Sequence, residues 1–540
     1  MAITDVPGEI LQCIFDFLTQ KDVKQLRLVC KTFKAHAPPI IKRAFISPHR
    51  INLDVFRSIV THDDFRHDVE EIIWDDARLR YYAEGHRPAS AAEYDWQALT
   101  EQLPPRPRYF EDYAQDAAID DPTAYGAENI MDGRKEELWG DAERITMDES
   151  YAIYRRIYDE QEAIIESGED VEILRLGLTS LPNLKRITLT SEVWRICYLF
   201  PLYHTPMFRL LPPGFQMPLP WPWLGRGSHP NPEADDEIDE SQEEALLTSW
   251  TDPHPEWRGY TILVSELLFS ADEHSVSEFI IDVNREPTGI GYQLFSARSG
   301  DYSNTLQLFH TLPLTRLDLA LNVQTAQYEE FDCLRNGLLK KALAKLKNLR
   351  HFHLHTNLRT EDSVSSQDEA AWVSLQDFLP TPHATVWPNL QHLGLANLFT
   401  TTQSLFLALS SFPKLNSIDL TNIVFRDGPA AYHTLLHDLR DRLVLASDGA
   451  WRYRHPKFTI REPSGGVDDM KRRTFTDEAD AFLYEGAACP FKETGGKEDW
   501  AGWILDDFNA DRKVRFSEVQ WLAEEEAGAE DEGAAGEVVA

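Results

Sequence analysis

The chain has 540 residues, enough for roughly three to five domains or one extended array with small modules, and its 42% hydrophobic and 26% charged content is ordinary for a folded soluble protein. Fifty-three basic residues against eighty-nine acidic ones leave a net charge of −36, so the electrostatic term toward nucleic-acid phosphates or an anionic membrane is repulsive and neither is an expected partner. Five scattered cysteines (Cys13, Cys30, Cys197, Cys333 and Cys489) make neither a disulfide framework nor a paired zinc motif, and with no long apolar run or basic leader they point to the cytoplasm or nucleus.

Residues 1–48 stand apart, with seven basic and four acidic side chains. Pro7 suits the first turn of a helix and Glu9 the positive end of its dipole. Ile10, Leu11, Ile14, Phe15, Phe17 and Leu18 then form a wide helical stripe. Thr19 with Asp22 has the form of a capping start for a second helix, whose continuation places Val23, Leu26, Val29, Cys30 and Phe33 on one side. Pro38 and Pro39 stop it. Three short helices have too little interior to bury this apolar surface among themselves. The excess must be covered by an adjoining domain or another protein.

Residues 49–147 read as linking helices and a strand: Phe56, Ile59, Val60 and Phe65 are helical in spacing, and Val69–Trp74 is a short buried strand. A helix starts near 148, on Tyr151, Tyr154, Ile157, Tyr158 and Ile164, and Gly168 caps it. The phrase L-x-x-L-x-L, which in leucine-rich repeats points its leucines inward, begins at Leu184, Leu314, Leu349, Leu390 and Leu415. Pro182, Pro313, Pro388 and Pro413 lead into four of these. The later starts are spaced more widely and less evenly than the roughly 20–29 residues of a regular array, with helices expected at 331–346, 368–379 and 403–412. The expected fold class is therefore α/β: three N-terminal helices, then an irregular leucine-rich-repeat-like solenoid over 148–447. An ordinary doubly wound α/β sheet is the alternative. A proline-rich and acidic insertion near 205–250 interrupts the array, acidic at eight of the twelve positions 233–244. Residues 448–522, with Trp451, Phe458, Trp500, Trp503, Phe508 and Trp521, are an expected C-terminal cap. The acidic tail 523–540 is expected to be disordered.

Chemistry-bearing patterns are few. His351, His353 and His355 alternate on one strand and share a face, either as metal ligands or as outward positions for a partner. Residues 507–518 place oxygen donors as in a calcium loop, but Arg512 stands where the turn calls for Gly. A hairpin joining Trp503–Leu505 to Val514–Phe516 explains the same pattern. Gly495-Gly496-Lys497 is not a phosphate loop, because Phe491 replaces the first Gly and Glu498 the Ser or Thr. Neither an HExxH nor a GxSxG motif occurs. No catalytic residue, metal site or cofactor is expected.

The run Val6-Pro7-Gly8-Glu9-Ile10, then Ile14, Leu18, Asp22-Val23, Leu26 and Val29-Cys30-Lys31 with Phe33, resembles an F-box. Val6 stands where Leu is commoner and Phe33 where Trp often occurs. Ser47-Pro48, Val55-Phe56-Arg57, Phe65–Val69 and Trp74-Asp75-Asp76 are similar to the region after the F-box in filamentous-fungal members. The resemblance implies docking to a Skp-type adaptor and, through it, to a cullin–RING ubiquitin ligase. It also implies that Pro7, Ile10, Leu11, Ile14, Leu18, Leu26, Val29, Cys30 and Phe33 supply the docking surface. On this expectation the chain is a non-catalytic substrate receptor. A scaffold that binds the adaptor without promoting ubiquitination is the alternative, and an enzyme with an unrecognised site in 250–450 is a third. Repeat geometry puts the expected target contacts on the outward strand positions Arg186, Thr188, Arg316, Asp318, His351, His353, His392, Ser417 and Asp419.

Overall fold

The computed structural model describes residues 6–36 except 16 and 19, 40–79, 145–190, 193, 203, 205–212, 215, 258–283, 289–323, 332–357, 372–380, 383–428, 430–463, 471–493, 503–506 and 509–515. Thr19, Pro38, Pro39, residues 216–257, Trp500, Phe508, Trp521 and the acidic tail lie outside them.

The inward–outward alternation of a strand sends every second side chain to one face. Here that rule is obeyed in register across the whole body. β1 (Arg43–Ile46), β2 (Glu71–Asp75), β3 (Arg186–Thr190), β4 (Glu278–Ile281), β5 (Ile290–Gly291), β6 (Arg316–Asn322), β7 (His351–Thr356), β8 (His392–Thr400), β9 (Ser417–Phe425) and β10 (Lys457–Pro463) belong to one sheet. β11 (Lys471–Thr474), β12 (Trp503–Asp506) and β13 (Asn509–Arg515) complete it. Neighbours pair parallel from β1 to β10, with β5 off the main path, and antiparallel from β10 to β13. Ala44, Ile72, Ile187, Phe279, Leu317, Phe352, Leu393, Ile418 and Phe458 are successive register partners, and all are buried. Strand order follows chain order. A doubly wound sheet would reverse its order at a switch point, and this one does not.

The proline lead-ins are turns. Leu184 N–H donates to Leu181 O, Leu390 N–H to Trp387 O and Leu415 N–H to Phe412 O. Pro182, Pro388 and Pro413 thus each occupy the second place of a four-residue turn, where a fixed φ suits the chain. The turn drops the following leucine into the core. Helices cover the inward face between strands, among them α4 (Arg50–Val60), Arg258–Phe269, Gly300–Thr311, Thr402–Ser410 and Ala431–Leu439. The long helix Met147–Ser167 starts on a reciprocal capping box between Thr146 and Glu149 and ends at Gly168, φ 70°.

Asn322 ends β6, Asn357 follows β7, and Asn397 and Asn422 lie within β8 and β9. Asn397 and Asn422 take the left-handed conformation, φ 55° and 51°, which Asn tolerates better than most residues. Asn422 Nδ2 donates to Asn397 Oδ1 at 2.8 Å, and Asn397 Nδ2 donates to Thr356 O at 2.7 Å. Asn357 Nδ2 donates to Asn322 Oδ1, and Asn357 Oδ1 accepts from Val323 N–H at 2.7 Å. Two of these bonds, to Thr356 O and from Val323 N–H, satisfy buried backbone groups.

Several sequence boundaries shift. Arg43–Ile46 lies inside the expected N-terminal unit yet pairs with β2 as the first strand of the sheet. The helix expected at 331–346 is two, Asp332–Arg335 and Leu338–Leu343, because Gly337 between them turns left-handed at φ 80°. The expected helix 368–379 is described only as Leu375–Phe378. In the expected cap region β10 continues the parallel sheet, and Trp451, Phe458, Phe475, Phe482 and Phe491 join the same continuous core as the repeats. Residues 509–515, the centre of the candidate calcium loop, are a strand, with Ile504 opposite Val514 in a hairpin.

Candidate functional site

Two surfaces stand out, and the first is helical. α1 (Gly8–Phe15), α2 (Gln20–Val29) and α3 (Lys31–His36) build a small core of their own from Leu11, Phe15, Val23 and Phe33. Phe15 and Phe33 meet edge to face at 5.8 Å, and Val6, Leu18, Leu26 and Cys30 pack against this core half-buried. Leu11 and Phe33 of the expected docking set are therefore buried in this small core and hold the helices together. What remains outside is Pro7, Ile10, Ile14 and Val29 from that set, joined by Phe17 and Leu28. Phe17 is 90% exposed, Leu28 81% and Val29 68%. Single exposed apolar residues are normal, but several large ones on one small module mark a surface built to be covered.

The second surface is the open face of the sheet. Its first row, in register, reads Arg43, Glu71, Arg186, Glu278, Arg316, His351, His392 and Ser417. Charge alternates along the first five, as like charges directly opposite would repel. Arg43 Nε lies 2.9 Å from Glu71, and Arg186 Nη2 lies 2.5 Å from Glu278. Arg316 turns along its own strand onto Asp318 at 2.5 Å, and His351 Nε2 lies 3.1 Å from the same carboxylate. Burial opposes the Asp318 charge, yet His351 and Arg316 hold the carboxyl well below the usual range. His351 stacks on His392 at 3.9 Å, and His392 Nδ1 shares a 2.7 Å hydrogen bond with Ser417 Oγ. Burial first, then His351 and His353, push the His392 pKa down to about 3.

In the next row His353 leans over Gly394, where a Cβ would come 2.7 Å from the ring Cγ. Only glycine leaves that space. Asp419 takes Arg461 of β10 at 2.5 Å and the Thr421 hydroxyl at 3.1 Å. A cavity of about 300 Å³ opens here between Arg43, Glu71, Arg186, Thr188, Tyr203, Asp282, Arg316, Asp318, His353 and His355. A second, of about 170 Å³, shares His353 and His355 and reaches Asn397, Asp419, Thr421 and Arg461.

The structure thus brings Arg186, Arg316, Asp318, His353 and Asp419 around two adjoining cavities, whereas His351, His392 and Ser417 do not line either. Thr188 is 1% exposed and donates its hydroxyl to Glu71 Oε1 at 2.6 Å, so it belongs to the floor and offers a partner no free group. The histidines at 351, 353 and 355 do not converge on one point. His351 goes to Asp318 and His392, and His355 Nε2 meets Asn397 Nδ2 at 2.9 Å. Arg43, Glu71, Glu278, Tyr203 and Arg461 were not expected at this face. For Arg43, Glu71 and Glu278 the signal was present: Ile41-x-x-Ala44-x-Ile46, Val69-x-x-Ile72-x-Trp74 and Val276-x-x-Phe279-x-Ile281 are the repeat phrase with other apolar residues in place of leucine.

Comparison with known families finds one match, the F-box-like model over residues 3–47. None of the curated proteins matches the chain. The chain therefore carries an F-box-like domain, a module that in general binds a Skp-type adaptor and occurs in non-catalytic receptor subunits. Among the described residues, no helix is long and apolar enough to cross a membrane.

Proposed function

We propose that this chain is the substrate-recognition subunit of an SCF-type ubiquitin ligase, with α1–α3 held by the Skp-type adaptor and the open sheet face holding a target protein. The observation that carries the reading is the split inside residues 6–36: Leu11, Phe15, Val23 and Phe33 are sealed, while Ile10, Ile14, Phe17, Leu28 and Val29 stay outside. A module with its own core can offer the remaining apolar residues to a groove, where a few anchors carry most of the affinity. The sheet body is then a leucine-rich-repeat-type solenoid, supported by strand order that follows chain order and by the Asn two or three residues beyond each L-x-x-L-x-L phrase from β6 to β9. Catalysis belongs to the partner subunits, and the receptor contributes proximity.

The test is co-precipitation of a Skp-type adaptor with the full chain and with Ile10→Asp and Val29→Asp. Each substitution is expected to cost at least about 2 kcal/mol of binding, a factor of roughly thirty, while the far-ultraviolet spectrum stays unchanged. Undiminished adaptor capture by both variants would overturn the assignment of this face. Accumulation of a target on deletion of the chain separates a receptor from a scaffold that ubiquitinates nothing.

A further inference from the structure

The helix Ala431–Leu439 carries His433 and His437, four residues apart and therefore on one face. Their rings lie 4.3 Å apart, centroid to centroid. Cys489 is a free thiol on the segment that follows Gly486, and a ligand atom from each of the three residues lies within 4.8 Å of the other two. All three side chains are half-buried. The segment is pinned where it is: Phe491, two residues on, stacks on Tyr432 at 4.9 Å and packs on Phe475 at 4.8 Å. His437 is held from the other side by the Phe482 ring at 4.8 Å. Sequence separation of more than fifty residues hides this cluster, since neither a Cys pair nor an HExxH spacing announces it.

We propose that His433, His437 and Cys489 form a metal site for a borderline-soft divalent cation of the zinc class, with the fourth tetrahedral position left to solvent. Two imidazoles and a thiolate are the donor set that zinc takes in three-ligand sites, and hard cations such as magnesium and calcium prefer oxygen. Aromatic packing around the helix and the Cys489 segment fixes the donors in advance, as a metal site requires of its supporting shell. Burial, then His433 and Arg440, lower the His437 pKa, which favours the neutral imidazole that a metal needs. Burial raises the Cys489 thiol, so the metal must displace its proton.

Arg440 is the competitor. Its Nη2 lies 3.2 Å from His437 Nδ1, its guanidinium packs over the Phe482 ring at 4.2 Å, and its Nε is 3.3 Å from Asp441. Metal entry requires the guanidinium to give up His437 and keep Asp441. The carboxylates of Asp441 and Glu493, whose charges act on His437, offset the positive charge of the loaded site. The bound ion would tie the Cys489 segment to the helix Ala431–Leu439.

The experiment is a titration of the full-length chain with cobalt(II) and zinc(II), followed by absorption spectroscopy and competition between the two metals. Wild type is expected to show a thiolate-to-cobalt charge-transfer band and tetrahedral ligand-field bands, saturating at one ion and bleached by zinc. Cys489→Ser abolishes the charge-transfer band, His433→Gln weakens binding roughly a hundredfold or more, and Arg440→Gln tightens it. The two ligand variants are made separately, so a folding failure in one leaves the other to decide. Absence of the band in wild type, its persistence in Cys489→Ser, or unchanged affinity in folded His433→Gln would each overturn the site.

Discussion

Leu11 and Leu354 are both fully buried, yet their surroundings differ. One residue before Leu11, Ile10 is 51% exposed; one residue before Leu354, the half-buried His353 sits in a charged and polar row. In the sheet, strand alternation assigns each apolar residue to a covered face and each polar one to the open face, and helices complete the cover. In α1–α3 the helical stripe is wider than the little core it can build, so the surplus stays in water. The same burial rule yields a closed core of some eighty side chains in one region and an open docking face in the other. On the function proposed above, the apolar surface that α1–α3 leave uncovered meets a partner, whereas the sheet, covered by helices on one side, keeps its open face for polar contacts.

The comparison breaks first at its cores. Leu354→Ala is expected to destabilise the sheet body by about 2–5 kcal/mol. Leu11→Ala should melt α1–α3 alone, because that core shares no buried member with the body. Tryptophan fluorescence during urea unfolding separates the two: residues 1–48 contain no tryptophan, whereas Trp74, Trp387 and Trp451 are buried in the body. An equal shift of the fluorescence midpoint in both variants would mean one cooperative unit.

The open face gives a smaller effect. Gly394→Ala puts a methyl group 2.7 Å from the His353 ring, and relief by displacing that ring is expected to cost about 1–3 kcal/mol. A crystal structure of the variant should show His353 moved out of its place between the two cavities. An undisturbed ring with unchanged stability would refute the fit.

Smallest is an acid effect confined to the sheet. His392 stays neutral in the fold, with its pKa near 3, but takes up a proton near 6.5 once unfolded. Protons thus favour the unfolded chain, and stability falls as the pH drops from about 6.5 toward 3. Above that window the effect vanishes. Between pH 7 and 5.5, His392→Gln should lose about 1 kcal/mol less than wild type in urea unfolding. His49, also pushed to about 3 by burial, remains in the variant, so part of the acid sensitivity persists. Parallel pH profiles for the two proteins would show that His392 is not held neutral.

Local pattern carried much of this into view. The Pro-x-Leu lead-ins, the alternation of Leu349 through Leu354 and the capping residues Thr146 and Gly168 act through neighbours in the chain, so the sequence states them directly. Strands β1, β2 and β4 were harder to see as repeats because Ala44, Ile72 and Phe279 replace leucine, and the core accepts any apolar side chain of suitable volume. In α1–α3 the helical period identified the apolar stripe but not which half faces inward. Leu11 and Ile14 are equally apolar in sequence, and packing against Phe33 decided between them.

What the sequence by itself determined is therefore the set of elements, their class and the presence of the docking module, since caps, turns and hydrophobic period are properties of adjacent residues. Tertiary structure alone decided which charges meet across strands, how Arg461 reaches Asp419, and that Cys489 comes to rest beside His433 and His437. Those contacts join residues tens of positions apart, and their distances are set by how strands register and helices pack over a shared core, which no local pattern encodes.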